Sequence, residues 1–235
     1  MNLSELNSLS PLRAFGKEAG GDLGKGNLGV IVSRRGVGKT ACLVHLATDK
    51  LLHSQHVIHV SFNGNVEHVI NWYKEIFTEV SKGKSLDDVD EVYRDIIQHR
   101  MIMNFSQEDY PVEKVLSSLS LLIKQGAFQA DAVMFDGYRM TLATEEDIKA
   151  IKKFAEDYQV EVWFAVSPVR SDAVIDQWGV PDTLEQYRDH LDVLIGLKYD
   201  DKSDKVLMTC VRAKGKDLEK PVSASLDPKT MLVSC

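Results

Sequence analysis

The sequence predicts an α/β protein built on a mainly parallel central sheet with antiparallel C-terminal strands. Two patterns carry that reading. Between residues 28 and 166, short apolar runs alternate with longer stretches of helical periodicity, the order that builds parallel sheets through crossover helices. After residue 190 strand-like runs follow one another through tight turns, which is how antiparallel edges form. The chain has 235 residues, 44% of them hydrophobic, enough to bury one sizeable core, and no internal repeat or low-complexity tract divides it.

Each element has its own signal. Leu28, Val30, Ile31 and Val32 read as a buried strand, and residues 40–52 as a helix with Leu43, Leu46, Ala47 and Leu51 on one face. Residues 57–62 are a strand. Residues 65–80 form a helix whose stripe is Val66, Val69, Ile70, Tyr73, Ile76, Phe77 and Val80. A second helical segment spans 86–97, and 101–105 a short strand. Pro111 suits a helix's first turn, and Gly126 ends that helix. Residues 132–135 are a buried strand, Thr144 to Asp147 a capping box opening a helix to Tyr158, and 160–166 a strand. A short helix at 181–190 leads to strands at 191–199, at 205–211 and around Asp227-Pro228. Leu3, Leu6, Leu9 and Leu12 fit either a docking helix or an extended arm, so residues 1–19 are an N-terminal arm or docking segment and 20–235 form one domain.

The chemistry concentrates between strand and helix at Ser33-Arg34-Arg35-Gly36-Val37-Gly38-Lys39-Thr40, with Ala41 following. This is a phosphate-binding loop in which Ser33 replaces the usual first glycine. Gly36 and Gly38 let consecutive amides turn inward toward phosphate oxygens, and the helix N-terminus favours an anion. Lys39 is placed for the β- and γ-phosphates and the Thr40 hydroxyl for Mg²⁺. The metal needs a carboxylate from a neighbouring strand. Asp136, after the apolar run from Ala132 to Phe135, is the candidate, holding Mg²⁺ through a water. The site residues expected to bind the cofactor ATP are thus Ser33, Arg34, Arg35, Gly36, Val37, Gly38, Lys39, Thr40 and Ala41, with Thr40 and Asp136 toward Mg²⁺.

Composition excludes several classes. A net charge of −7 argues against a surface built for nonspecific nucleic-acid binding. Cys42, Cys210 and Cys235 show neither metal spacing nor a disulfide framework, which fits a reducing cytoplasm. No apolar run has signal-peptide or membrane-spanning character, so a soluble, cytoplasmic protein is expected. The seven histidines read as structural or surface residues, and Trp72, Trp163 and Trp178 as core or interface. Arg139 and Arg170, after strand ends, are candidates for phosphate or partner contact.

The run from Gly20 to Gly26 ahead of the loop resembles the glycine approach of RecA-like P-loop ATPases, notably the KaiC and DnaB-type helicase branch. VIHVSFN, VMFDGY, VWFAVSP and VLMTCVRAKGK resemble further strands of that family in the same order, so the likeness covers most of the chain from Gly20 to Lys216. It implies a three-layer RecA-like sandwich and a homo-oligomeric ring or filament. Arg212 and Lys214 match the family's late basic pair, with the residue types exchanged, which reaches a neighbouring subunit's γ-phosphate; an exposed basic turn is the other reading. Asn63 stands where the family has the glutamate that activates water, and an amide cannot take that proton. Pro168 replaces a γ-phosphate-sensing glutamine. Glu67, one turn into the next helix, is the substitute base or else a solvated glutamate.

Two functions compete. One is a nucleotide-controlled regulatory or assembly protein with weak or partner-dependent hydrolysis, favoured by Asn63 and Pro168. The other is an active RecA-like ATPase: Lys39, Thr40 and Asp136 keep open one that couples slow hydrolysis to oligomer rearrangement, while the acidic charge counts against its nucleic-acid-linked motor form. A kinase lacks an acceptor signature, and no guanine-reading motif turns the preference from ATP to GTP.

Overall fold

In the computed structural model, the described residues are 11–62, 64, 66–82, 89–105, 111–168, 174–230 and 232–234. The chain runs α1 (Pro11–Glu18), β1 (Leu28–Val32), α2 (Lys39–Leu52), β2 (Val57–Ser61), α3 (Val66–Ser81), α4 (Val89–Ile97), β3 (Arg100–Asn104) and α5 (Val112–Lys124). Then come β4 (Ala132–Asp136), a 3₁₀ turn (Met140–Leu142), α6 (Glu145–Tyr158), β5 (Glu161–Val166) and a 3₁₀ segment (Asp182–His190). The strands β6 (Val193–Asp200), β7 (Lys205–Ala213), β8 (Lys216–Leu226) and β9 (Val233–Ser234) close the fold.

One sheet takes all nine strands in the order β3-β2-β4-β5-β1-β6-β7-β8-β9. The first six in that order pair in parallel, and β6 through β9 pair antiparallel. This is the α/β class expected. Alternation along the central strands sorts their side chains into two cores. Ile31, Val57, Met134 and Ala165 join the core under α1–α4, while Val30, Ile58, Phe135 and Phe164 join the core under α5, α6 and the second 3₁₀ segment. Helices therefore cover both faces, in three layers.

Local chemistry explains the boundaries. Thr144 closes the capping box on α6: its hydroxyl accepts from the Asp147 amide at 3.1 Å and the Asp147 carboxylate accepts from the Thr144 amide at 2.8 Å. The N-terminal segment is a helix where it is described, with Leu12 and Phe15 buried against the sheet and Arg13 paired with Asp49 on α2 at 3.0 Å. The segment at 182–190 is 3₁₀ rather than α. Lys214 and Gly215, both at positive φ, make the two-residue turn between β7 and β8.

At Gly196 on β6 a Cβ would stand 2.1 Å from the Trp178 carbonyl oxygen. A Gly196→Ala variant is expected to lose roughly 1–3 kcal/mol, read as a lower urea midpoint with unchanged slope; an unaltered midpoint would show that the 174–180 stretch gives way freely.

Candidate functional site

Parallel sheets place ligands beyond the carboxyl ends of their strands, where connections part to either side. Here the chain leaves β1 for β2, crossing β5 and β4, so the end of β1 is such a point. A cleft of about 880 Å³ opens there, lined from the ends of β2, β3, β4 and β5 and from the loop after β1.

All five residues of β1 are buried, and the chain emerges into the glycine loop. Gly36 at φ 82° and Gly38 at φ 107° hold backbone that L side chains rarely adopt. Gly38 is the N-cap of the 14-residue α2 and no side chain caps that end, leaving its first amides directed at the cleft. Arg35, Gly36, Gly38, Lys39, Thr40 and Ala41 line the cleft. Ser33 is buried, and its hydroxyl donates to the Arg34 carbonyl at 2.9 Å, so a small polar side chain serves at the departed glycine. Arg34 is exposed and Val37 half-buried.

Lys39 is 8% exposed, and its ammonium donates to the Ser33 carbonyl at 3.0 Å and the Arg34 carbonyl at 2.8 Å. Burial lowers its pKa from 10.5 to about 8; Asp136 opposes that shift and Arg35 adds to it. The loop thus holds a desolvated cation on neutral oxygens, an arrangement that favours an incoming anion. Among the described lining residues, Arg35, Lys39 and Arg139 are the cations and Asp136 the sole carboxylate.

The Thr40 hydroxyl donates to Asp136 Oδ1 at 3.0 Å, joining residues 96 positions apart. Asp136 ends β4 with 3% exposure. Among the described residues no group of three or more His, Cys, Asp or Glu could hold a metal by itself. The Thr40–Asp136 pair instead fits Mg²⁺, which takes a hydroxyl and one carboxylate alongside phosphate and water oxygens.

The other expected site residues are dispersed. Glu67 is exposed on α3 and does not line the cleft; its neighbour His68 does, accepting at Nε2 from the Trp72 indole at 3.0 Å. Arg212 is 7% exposed, donates to the Leu191 carbonyl at 2.7 Å and pairs with Asp217 at 2.8 Å. It sits beside Leu194, at the start of β6, so it and the exposed Lys214 lie at the end of the sheet opposite the cleft. Within one chain that basic pair does not meet the glycine loop. Pro168 lines the cleft, as does Arg139; Asn63 and Arg170 lie outside the described residues.

The sequence reading missed the cleft's aromatic wall and its buried histidine. Phe62, Phe105, Tyr138 and Trp72 line the side beyond Asp136, with Phe62 5.4 Å from Tyr138 between ring centroids. His59 is fully buried on β2, its Nδ1 3.2 Å from the Tyr73 hydroxyl and its Nε2 4.0 Å from Asp136 Oδ2. The alternation of β2 and β4 was the available signal, since it puts His59, Ser61 and Asp136 on the face that α2 covers.

No protein-family model matches this chain, and no curated protein matches it. No helix among the described residues is long and apolar enough to cross a membrane.

Because the folded pKa of Lys39 lies below its ordinary 10.5, burying the charge costs stability below pH 8, on the order of 3 kcal/mol. The cost fades as pH rises from about 8 to 10.5. Lys39→Met is therefore expected to be more stable than the parent at pH 7, with the gap closing by pH 10.5 in paired urea titrations. A gap independent of pH would mean that the methionine's packing, not the buried charge, is responsible.

Proposed function

We propose that this chain binds ATP·Mg²⁺ in the cleft at the head of α2, as a RecA-like nucleotide-controlled regulatory or assembly protein with weak or partner-dependent hydrolysis. The observation that carries the reading is the 3.0 Å contact between Thr40 and Asp136, beside the buried ammonium of Lys39. It joins the loop and the strand-end carboxylate at one point, the juxtaposition that nucleotide-phosphate chemistry needs. In this role the Gly36 to Gly38 amides cradle the α- and β-phosphates, Lys39 meets the β- and γ-phosphates, and Arg35 and Arg139 add positive charge around them. Mg²⁺ held by Thr40 and Asp136 would neutralise charge on the β- and γ-phosphate oxygens.

The weakness of hydrolysis follows from what lines the cleft. Asp136 is the one described carboxylate there and is engaged on the metal side, so it is a poor general base. His68 already accepts a hydrogen bond at Nε2, and Pro168 brings no side-chain donor. In a ring or filament, the exposed Lys214 rather than Arg212 would be the member of the late basic pair available to a neighbour, since Arg212 is tied within its own hairpin.

Calorimetric titration with ATP and Mg²⁺, beside a steady-state hydrolysis assay, tests this. Binding with little turnover is expected, and Lys39→Ala should weaken affinity roughly tenfold to a hundredfold, the worth of a charged hydrogen bond. Affinity that survives Lys39→Ala would remove the loop from the site; rapid turnover by the isolated chain would replace the regulatory reading with an active ATPase.

A further inference from the structure

Resting on the nucleotide reading above, we infer that His59 is a positioning residue for the metal-side carboxylate: with its tautomer set by Tyr73, it holds Asp136 Oδ2 through Nε2–H when Mg²⁺ occupies the site.

The residues involved lie on one face of the sheet. His59 and Ser61 on β2 and Asp136 on β4 project toward α2 and α3, and Ser61 pairs directly with Asp136 across the two strands. Asp136 Oδ1 is engaged by the Thr40 hydroxyl, and Oδ2 faces His59 Nε2 at 4.0 Å. Among the described residues that fully buried nitrogen has no hydrogen-bond partner, an expensive condition for a polar atom in a core. On its other side, Nδ1 lies 3.2 Å from the Tyr73 hydroxyl, and Tyr73 is 1% exposed.

The proton placement follows. Burial, the largest cause, outweighs the opposing Arg100 and with Asp136 pushes the Tyr73 phenol above its usual pKa, so it keeps the proton it can donate. Arg100 packs its guanidinium 4.4 Å over the phenol ring. A phenol donating to Nδ1 leaves the imidazole proton on Nε2, aimed at the carboxylate.

At 4.0 Å the contact is not yet a hydrogen bond. Thr40 and Asp136 are the residues that would hold Mg²⁺, and a cation between them would replace their direct hydrogen bond, leaving the carboxylate in need of another partner to keep its orientation. Nε2–H is the buried donor next to it. Losing an outer partner of this kind typically weakens metal binding by about tenfold to a hundredfold.

The test is ATP binding by the full chain, titrated with Mg²⁺ and repeated in EDTA, for wild type, His59→Leu, His59→Gln and Tyr73→Phe. Thermal unfolding without metal is followed alongside. His59→Leu is expected to raise the Mg²⁺ concentration needed for half-maximal enhancement of ATP binding by roughly tenfold to a hundredfold, with affinity in EDTA unchanged. His59→Gln keeps a donor near the Nε2 position and should restore most of that loss. Tyr73→Phe should shift the same curve in the same direction by less, and add nothing to His59→Leu. A His59→Leu curve that overlays wild type overturns the role. So does a loss equal in EDTA and Mg²⁺, which marks a packing effect only, or a His59→Gln variant no better than His59→Leu. A wild type that binds no ATP, or binds it without regard to Mg²⁺, defeats the nucleotide reading itself and His59's role with it.

Discussion

The site depends on the complete burial of β1. This strand has β5 on one edge and β6 on the other, α-helical layers on both faces, and no exposed residue along its length. Its backbone is anchored where it begins, because the Leu28 amide donates to Asp192 at 2.9 Å and Lys152 pairs with the same carboxylate at 2.8 Å. A strand held on every side leaves its carboxyl end little freedom. The glycine loop therefore starts from a rigid point, and preorganised backbone amides are worth more to an anion than amides that must be ordered on binding. Trp163 reinforces this by lying across Gly29, where any side chain would collide with the indole.

Much of this was legible in the sequence because it depended on local rules. The strand, glycine loop and helix around Gly36 and Gly38 form a continuous signal, and positive φ at both glycines explains why those residues are there. Apolar runs at β2, β4 and β5 reveal strands because both faces are buried, which erases polar alternation. The capping box at Thr144 is equally local. What lay hidden was set by tertiary register. Nothing near His59 in the chain announces that Asp136, 77 residues on, will stand beside it, because that neighbourhood comes from the pairing of β2 with β4. The exposure of Glu67 beside the cleft-lining His68 likewise turns on the rotation of α3, which a hydrophobic stripe fixes only to within a residue. Arg212 and Lys214 were placed by motif order, whereas the antiparallel reversal at β6 and β7 carries them to the other end of the sheet.

The electrostatics of the molecule run against its average. The chain carries a net charge of −7, yet among its described residues the cleft presents three cations against one carboxylate. A positive recess in an acidic body concentrates field lines where the anion is needed and discourages broad contact with polyanions elsewhere. The same recess explains the strain on Lys39: its ammonium is burdened by burial and by Arg35, and a polyphosphate would relieve both.

Strands β6 through β9 contribute no lining residue to the cleft, although they make up nearly half of the sheet. The Lys214-Gly215 turn between β7 and β8 lies at the end of the sheet away from the chemistry, and the exposed turn between β6 and β7 is at the cleft's end without lining it. The molecule is thereby divided between the strands from β3 to β6, in which any drift is felt by the glycine loop, and a permissive edge of β7 to β9. That edge can lengthen, lose or re-edge its hairpins over evolutionary time and acquire new neighbours without asking the site to change.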